Sequence, residues 1–266
     1  MNIDYSKYKR LFTFGCSFTG YKYPTWANIM NKHIPQAEFY NLGRSGGGNV
    51  FIANRITEAN RKFNFCDTDL VMVMWSTFCR EDRYLPNRGW MTPGNIYTQN
   101  ELDFATTEYL VKWADPLTFL VRDLSIIELT STYLKSLPCD DICMLSVPFD
   151  HQMDQGNAVA QNLLEAYSGL EDSYPLSMFE LEMNGYWDHS SHYVESWSNG
   201  EKHGDYHPSP ARYAEYLRKI GINLSDSARN YALESTSTLS SITHWTEFDQ
   251  LFPNLDPRTL PTEKLI

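Results

Sequence analysis

The first 150 residues show two different patterns of apolar and polar positions. Short runs rich in apolar residues predict strands over 11–14, 38–41, 70–75 and 142–147. Longer stretches with apolar residues at helical spacing predict helices over 24–32, 49–62 and 116–137. The run LVMVMW is apolar at every position, as in a central parallel strand buried on both faces. The alternation predicts βαβ units, and therefore an α/β fold around a mainly parallel sheet.

The clearest helix signal comes late, in the stretch DYHPSPARYAEYLRKIG. Ser209 is a favoured N-cap, Pro210 suits the first helical position, and Gly221 suits the left-handed end. A second helix is predicted over about 223–233. We expect one domain over 1–235, with insertions at 83–115 and 149–204 on the loop edge of the sheet. We expect 236–266 to be a C-terminal tail that packs on the domain or on a partner.

Charge and composition narrow the classes of function. The 266 residues include 33 acidic and 22 basic side chains, for a net charge of −11. Such a charge disfavours attraction to nucleic acid or to anionic membranes, so neither is expected as a partner. No signal peptide or membrane-spanning apolar run is recognisable, which predicts a cytoplasmic protein. The five cysteines lack metal-ribbon spacing and are expected to be free thiols.

The first candidate for chemistry is Ser17, in LFTFGCSFTG. Gly15 permits a tight turn after the first strand, so the hydroxyl of Ser17 lies at the carboxyl edge of the sheet, where open α/β folds bind ligands. A serine that merely caps a turn is the alternative. The neighbouring thiol of Cys16 is a second candidate nucleophile, although a small core residue is the more ordinary interpretation.

The second candidate is His207, in GDYHPSP. A serine hydroxyl needs a base to remove its proton, and imidazole is the usual one. Asp205 lies two residues earlier on an extended segment and is placed to orient the ring. A competing interpretation is a metal site in which the ligands come from one short stretch: His189, His192, His203, Asp205 and His207.

Three short blocks in this order resemble the SGNH, or GDSL-like, hydrolases. The first is Gly15-Cys16-Ser17-Phe18, the second is Asn41 with Gly46 in NLGRSGGGN, and the third runs from Asp205 to Pro208. The resemblance implies a three-layer α/β/α sandwich with a flavodoxin-like sheet. It also implies that Ser17 is the nucleophile, that His207 is the base, and that Asp205 orients the imidazole. The N–H groups of Ser17 and Gly46 would then bind the oxyanion.

The chain departs from the family pattern at two places. MWSTFCRED stands where the family has Gly-x-Asn-Asp, so Ser76, Thr77 or Arg80 is expected to replace the oxyanion asparagine. The family's aspartate usually lies three residues before the histidine, and Gly204 occupies that position here. Asn49, at the end of the glycine-rich loop, is a further candidate for substrate binding.

These residues predict a serine-dependent hydrolase of small acyl esters, which include O-acylated carbohydrates, with no cofactor or metal. The alternative from another class is a catalytically silent SGNH-like module for binding or assembly. A metal-dependent hydrolase that uses the stretch from His189 to His207 is the lesser alternative. The α/β-hydrolase elbow is excluded because Thr19 replaces its second glycine, and a P-loop is excluded because no Lys-Ser/Thr follows GRSGGGN.

Overall fold

Four parallel strands form the central sheet of the computed structural model, which describes residues 3–97, 107–154, 156–182, 194–196, 202–204, 207–242, 247–253 and 255. The strands are β1 (Arg10–Phe14), β2 (Glu38–Asn41), β3 (Asp69–Trp75) and β6 (Asp140–Leu145). Their order is β2-β1-β3-β6, and every pairing is parallel. This order is the predicted flavodoxin-like one.

The central strand β3 is buried at all seven positions, and its two faces feed two separate cores. Val71, Val73 and Trp75 belong to one core, and Leu70, Met72 and Met74 belong to the other. Successive side chains of a strand point to opposite faces, so one continuous apolar run supplies both layers. The sheet is therefore the middle layer of a sandwich.

Helices cover both faces of the sheet. Those on one face are α2 (Asn49–Phe63) and α4 (Pro116–Lys135). Those on the other are α1 (Trp26–His33), α8 (Pro210–Lys219) and α9 (Asp226–Ser241). The predicted three-layer α/β/α architecture is therefore confirmed. None of the helices in the described ranges is both long and apolar enough to cross a bilayer.

Smaller elements connect these layers. Two antiparallel hairpins are formed by β4 (Arg83–Leu85) with β5 (Gly89–Met91) and by β7 (Val194–Ser196) with β8 (Lys202–Gly204). The short helices are α3 (Thr107–Trp113), α5 (Ala158–Ala166), α6 (Ser168–Glu171), α7 (Met178–Glu182) and α10 (Phe248–Leu251), with 3₁₀ turns at Tyr5–Lys7 and Asp150–Gln152.

The predicted strands and helices agree with the structure to within about two residues at most ends. The helix signal around Ser209 is confirmed, because the Ser209 hydroxyl accepts a hydrogen bond from the Arg212 N–H and Pro210 is the first helical residue. Gly221 has the predicted left-handed conformation, with φ of +95°. The helix predicted over 223–233 is longer. It continues to Ser241, because Ala232, Ser235 and Leu239 extend its buried face into the segment expected to be tail.

Candidate active site

The turn that carries Ser17 begins directly after β1. The N–H groups of Thr19 and Gly20 both donate to the carbonyl of Cys16, at 2.9 and 3.0 Å, which closes the turn around Ser17. A side chain at Gly15 is sterically excluded, since an added Cβ would lie 2.9 Å from the carbonyl oxygen of Met74. The serine itself is 7% exposed. Cys16 is buried in the core beside α1, as expected of a small core residue.

A buried polar network fixes the shape of this turn. The carbonyl of Thr19 accepts hydrogen bonds from the Asn41 amide, at 2.9 Å, and from the Thr25 hydroxyl, at 2.6 Å. The amide oxygen of Asn41 accepts in turn from the N–H of Gly43 at 3.1 Å. The asparagine of the second block therefore ties the loop after β2 to the loop that holds Ser17.

The glycine of the second block has the conformation that only glycine adopts readily. Gly46 has φ of +76°, and an added Cβ would lie 2.0 Å from the carbonyl oxygen of Thr92. Within the described part of the chain, the N–H groups of Ser17 and Gly46 donate no hydrogen bond. Two donors thus remain available in the loops that follow the adjacent strands β1 and β2.

The residue that follows β3, Ser76, is bound by the side-chain amide of Asn49. The segment after β3 does not itself carry the asparagine of the family pattern. The Asn49 side chain accepts from the Ser76 N–H at 2.8 Å and donates to the Ser76 carbonyl at 3.1 Å. It also donates to the carboxylate of Asp123 on α4, at 3.1 Å. Asn49 is fully buried, so these contacts define it as a link between α2, β3 and α4. The hydroxyl of Ser76 is buried without a hydrogen-bond partner among the described residues.

Thr77 and Arg80 bind each other. The Arg80 Nε donates to the Thr77 hydroxyl at 2.8 Å, and Nη1 donates to the carbonyl of Gly47 at 3.1 Å. Arg80 therefore fastens the segment after β3 to the glycine-rich loop after β2.

His207 lies against the loop that carries Ser17. Its ring stacks on that of Tyr21, with centroids 3.9 Å apart and planes 19° apart. The ring of Phe18, the residue after Ser17, contacts it edge-on at 5.4 Å. The Tyr23 hydroxyl donates to the backbone carbonyl of His207 at 3.1 Å. Two segments about 190 positions apart in the sequence therefore meet at the carboxyl end of β1.

The remaining predicted site residues fall outside what the structure describes. Asp205, His189 and His192 belong to undescribed segments, and of His203 only the backbone is described, as part of β8. In the described portion of the chain, no three His, Cys, Asp or Glu side chains converge as metal ligands do. The orientation of His207 by Asp205 and the metal alternative both remain predictions.

Two buried carboxylates, those of Asp82 and Asp123, bind residues at the start of α2. Asp82 accepts the N–H groups of Gly48 and Phe51, both at 2.9 Å, at the start of α2. Burial raises the pKa of Asp82 to about 6, in spite of these two donors and the nearby Arg80. Burial likewise raises the pKa of Asp123 above its usual range, although Arg122 and Asn49 donate to it.

A cavity of about 350 Å³ is located beyond the segment that follows β3. Asn95 and Tyr97 line it from the insertion after β3, and Asp115 lines it from the start of α4. Asp154 and Asn157 contribute from the segment that leads into α5. Tyr97 is 44% exposed, and its hydroxyl donates to the carbonyl of Ala114. Apolar groups of Cys79, Pro116, Leu117, Met153 and Ala160 complete the lining, so the cavity is a mixed one with one accessible aromatic ring.

The aromatic surroundings of His207 are the part of the site that sequence reasoning missed. Tyr21 and Tyr23 alternate with Lys22, and their rings meet edge-on with centroids 5.0 Å apart. This alternation in the sequence could have indicated a pair of neighbouring aromatic rings, but it does not indicate that they contact His207. The capping role of Asp82 has no local signal, because its partners Gly48 and Phe51 lie 34 and 31 positions earlier.

Comparison with known proteins found likenesses among solved structures only; no protein-family model and no curated protein matches the sequence. A Bacillus subtilis protein is 11% identical, with 87% of this chain and 56% of that protein covered and a TM-score of 0.38. A member of the lipolytic protein G-D-S-L family from Veillonella parvula is 18% identical, with 85% and 97% covered and a TM-score of 0.37. A catalytic mutant of an acetylxylan esterase from Geobacillus stearothermophilus is 15% identical, with 81% and 95% covered and a TM-score of 0.34.

This chain spans a little over half the length of the Bacillus protein and nearly the full length of the other two. Its own strand order and register, described above, establish its fold. The parallel order β2-β1-β3-β6, with Ser17 after β1, Gly46 after β2 and His207 just before α8, is the SGNH-like α/β/α arrangement that the sequence motifs predict.

Proposed function

We propose that the protein is a serine-dependent acyl-ester hydrolase in which Ser17 is the nucleophile and His207 the base. The observation that carries this proposal is the contact of the His207 ring with Phe18, the residue next to Ser17. It supports an imidazole that lies against the loop carrying the hydroxyl that it would deprotonate. Both lie at the carboxyl edge of a parallel sheet, where open α/β folds bind their ligands.

The proposed reaction follows the chemistry of a serine acyl hydrolase. The Ser17 oxygen attacks the ester carbonyl while His207 accepts the hydroxyl proton. Collapse of the tetrahedral intermediate breaks the bond to the alcohol, which leaves with the proton from His207. Water then attacks the acyl-serine, with His207 again accepting and returning a proton, and the acid is released. Asp205 is proposed to hold the imidazole in the required tautomer.

The oxyanion is proposed to bind to backbone donors. The N–H groups of Ser17 and Gly46 suit this role, because neither donates elsewhere in the described chain. The buried hydroxyl of Ser76 is a third donor at the end of the next strand, without another hydrogen-bond partner among the described residues. Thr77 and Arg80 are less suited, since they are already bonded to each other.

The acyl group is proposed to be small and the alcohol half to be a carbohydrate. The 350 Å³ cavity beside Tyr97 is proposed to take the sugar, because its mixed lining sets the accessible ring beside the polar side chains of Asn95, Asp115 and Asp154. Such groups satisfy the hydroxyls of a sugar, while a flat ring covers its apolar face. An O-acetylated monosaccharide is therefore the substrate to compare with p-nitrophenyl acetate.

Labelling with a fluorophosphonate, together with turnover of p-nitrophenyl acetate, tests the proposal. The native protein is expected to be labelled at Ser17 and to turn over the ester, in the presence of a chelator as well as in its absence. Ser17→Ala is expected to abolish both labelling and turnover. His207→Ala is expected to reduce the rates of labelling and of turnover by about a thousandfold or more. Labelling that persists in Ser17→Ala contradicts the assignment of the nucleophile, and loss of turnover with the chelator favours the metal alternative.

A catalytically silent binding module is the second candidate. The observation in its favour is the end of β3, where Asn49 is committed to Ser76 and Asp123 and no Gly-x-Asn-Asp asparagine is present. Removal of one oxyanion donor typically costs about two to three orders of magnitude in rate. A folded native protein that is neither labelled nor active would support this candidate over the hydrolase.

A further inference from the structure

We infer that Tyr21 and Tyr23 are positioning residues for His207, and that the described C-terminal segment supports them. This inference rests on the proposed function, since it concerns the base of that reaction. We call the three aromatic residues that contact His207, namely Phe18, Tyr21 and Tyr23, the aromatic mount. Stacking of Tyr21 on His207, at 3.9 Å and 19°, restricts tilting of the imidazole. The edge of Phe18 closes a second side of the ring, at 68° to its plane. The imidazole is thus constrained in two directions.

The backbone of His207 is fixed separately. Tyr23 is fully buried, and its hydroxyl donates to the His207 carbonyl at 3.1 Å. The ring of Tyr23 also meets that of Tyr21 edge-on, with centroids 5.0 Å apart. One short segment, Tyr21 to Tyr23, therefore holds both the ring and the main chain of the same histidine.

Behind these tyrosines lies a small apolar cluster that is separate from the two main cores. It consists of Tyr23, Leu239, Ile242 and Phe248, with Tyr21 packed against it. Phe248 of α10 stacks on Tyr23 with ring centroids 5.9 Å apart, and the Lys22 ammonium lies 4.6 Å from the Phe248 ring. The chain after α9 therefore packs against Lys22 and Tyr23.

The arrangement has a chemical consequence in the proposed cycle. His207 carries a positive charge each time it holds the serine proton, and the face of a tyrosine ring attracts a cation. A ring stacked on the imidazole therefore stabilises the charged intermediate as well as the geometry. Catalysis is sensitive to such geometry, because a displacement of about 1 Å can cost about 100-fold in rate.

The test compares Tyr21→Leu with Tyr21→Phe. Tyr21→Leu removes the ring and is expected to lower kcat for p-nitrophenyl acetate by about 10- to 100-fold, with KM changed by less than about twofold. Tyr21→Phe keeps the ring and is expected to restore kcat to near the native value. Tyr23→Phe removes only the hydroxyl that binds the His207 carbonyl, and a drop in kcat of about threefold is expected.

The matched control is Tyr5→Leu, which removes a tyrosine whose ring contacts another histidine, His33, at 4.6 Å. That variant is expected to lose stability without a change in kcat. Equal kcat values for Tyr21→Leu and the native protein, or equal losses for Tyr21→Leu and Tyr5→Leu at matched stability, would overturn the inference.

A second readout does not depend on activity. In the Ser17→Ala protein, the ring protons of His207 are expected at unusually high field in the NMR spectrum, because a stacked ring shields them. Tyr21→Leu should abolish this shift and Tyr21→Phe should preserve it. A native protein that shows the shift but no turnover would refute the proposed function and leave the aromatic mount standing, whereas the absence of the shift refutes the mount itself.

Discussion

At the scale of single residues, the loops of the candidate site depend on buried polar groups that bind backbone. Asp82 is the clearest case, because its two oxygens satisfy the N–H groups of Gly48 and Phe51 at the open end of α2. Gly48 leaves the space for this contact, since an added Cβ would lie 2.7 Å from the carboxylate. The second-block loop is therefore shaped by an acid that comes after β3.

The pH dependence of stability is expected to report Asp82. Its pKa is raised by burial from 3.8 to about 6 in the folded protein, so the fold prefers the protonated acid. The associated stabilisation is fully present below pH 3.8 and is lost as the pH rises through 6. The loss is on the order of 3 kcal/mol. Asp82→Asn cannot titrate, so the free energy of unfolding, measured with urea, should fall less between pH 4 and pH 7.5 than in the native protein.

Asp82→Asn should also be less stable than the native protein at pH 4, because its NH2 group would face one of the two N–H donors and cannot accept from it. The pKa values of Asp123 and Glu58 are also raised, in both proteins. The free energy of unfolding of Asp82→Asn should therefore still fall somewhat as the pH rises. Identical slopes in the two proteins would contradict the raised pKa of Asp82.

At the scale of elements, helix α8 fixes where His207 lies in the fold, because the helix begins three residues after it. The histidine is followed by Pro208, and Ser209 then caps the helix that begins at Pro210. The buried face of α8 includes Tyr213, whose ring meets Phe18 edge-on at 6.2 Å. The start of α8 is therefore fixed relative to the loop that carries Ser17.

A matched pair of cap variants tests this role of α8. Ser209 and Ser225 cap α8 and α9 in the same way, each accepting from an N–H three residues later. Ser209→Ala and Ser225→Ala should each cost about 1 kcal/mol in the free energy of unfolding. Only Ser209→Ala is expected to lower kcat several-fold, because its cap adjoins the base. Equal activity of the two variants would mean that the cap does not position His207.

The elements that the sequence predicts well are those with strong local signals. The apolar run of β3 and the Ser-Pro-Gly punctuation of α8 each specify their element without help from the rest of the chain. The length of α9 is different, because its last turns are held by tertiary contacts of Leu239 with Tyr23 and Phe248. Periodicity alone therefore ended this helix too early.

At the scale of the whole molecule, two apolar clusters contribute residues that contact His207: Phe18 belongs to one of the main cores, and Tyr23 belongs to the small third cluster. The sheet separates two cores, and the third cluster joins the C-terminal segment to the loop after β1. The sequence predicts the order of strands, which follows from βαβ topology, and the structure confirms it. That Ser17 and His207 share one site is what the block motifs predict, and it stays a prediction. The aromatic mount and the Asp82 cap were missed, because each joins residues far apart without a local pattern.

The central claim is that the alcohol of Ser17 and the imidazole of His207 face each other across one cleft. A crystal structure of the fluorophosphonate-treated protein tests it most directly. We expect phosphorus bonded to the Ser17 oxygen and a ring nitrogen of His207 about 3 Å from that oxygen or from the phosphonate, with the ring still stacked on Tyr21. An adduct on another residue, or an imidazole too far away for a direct or single-water contact, would contradict it.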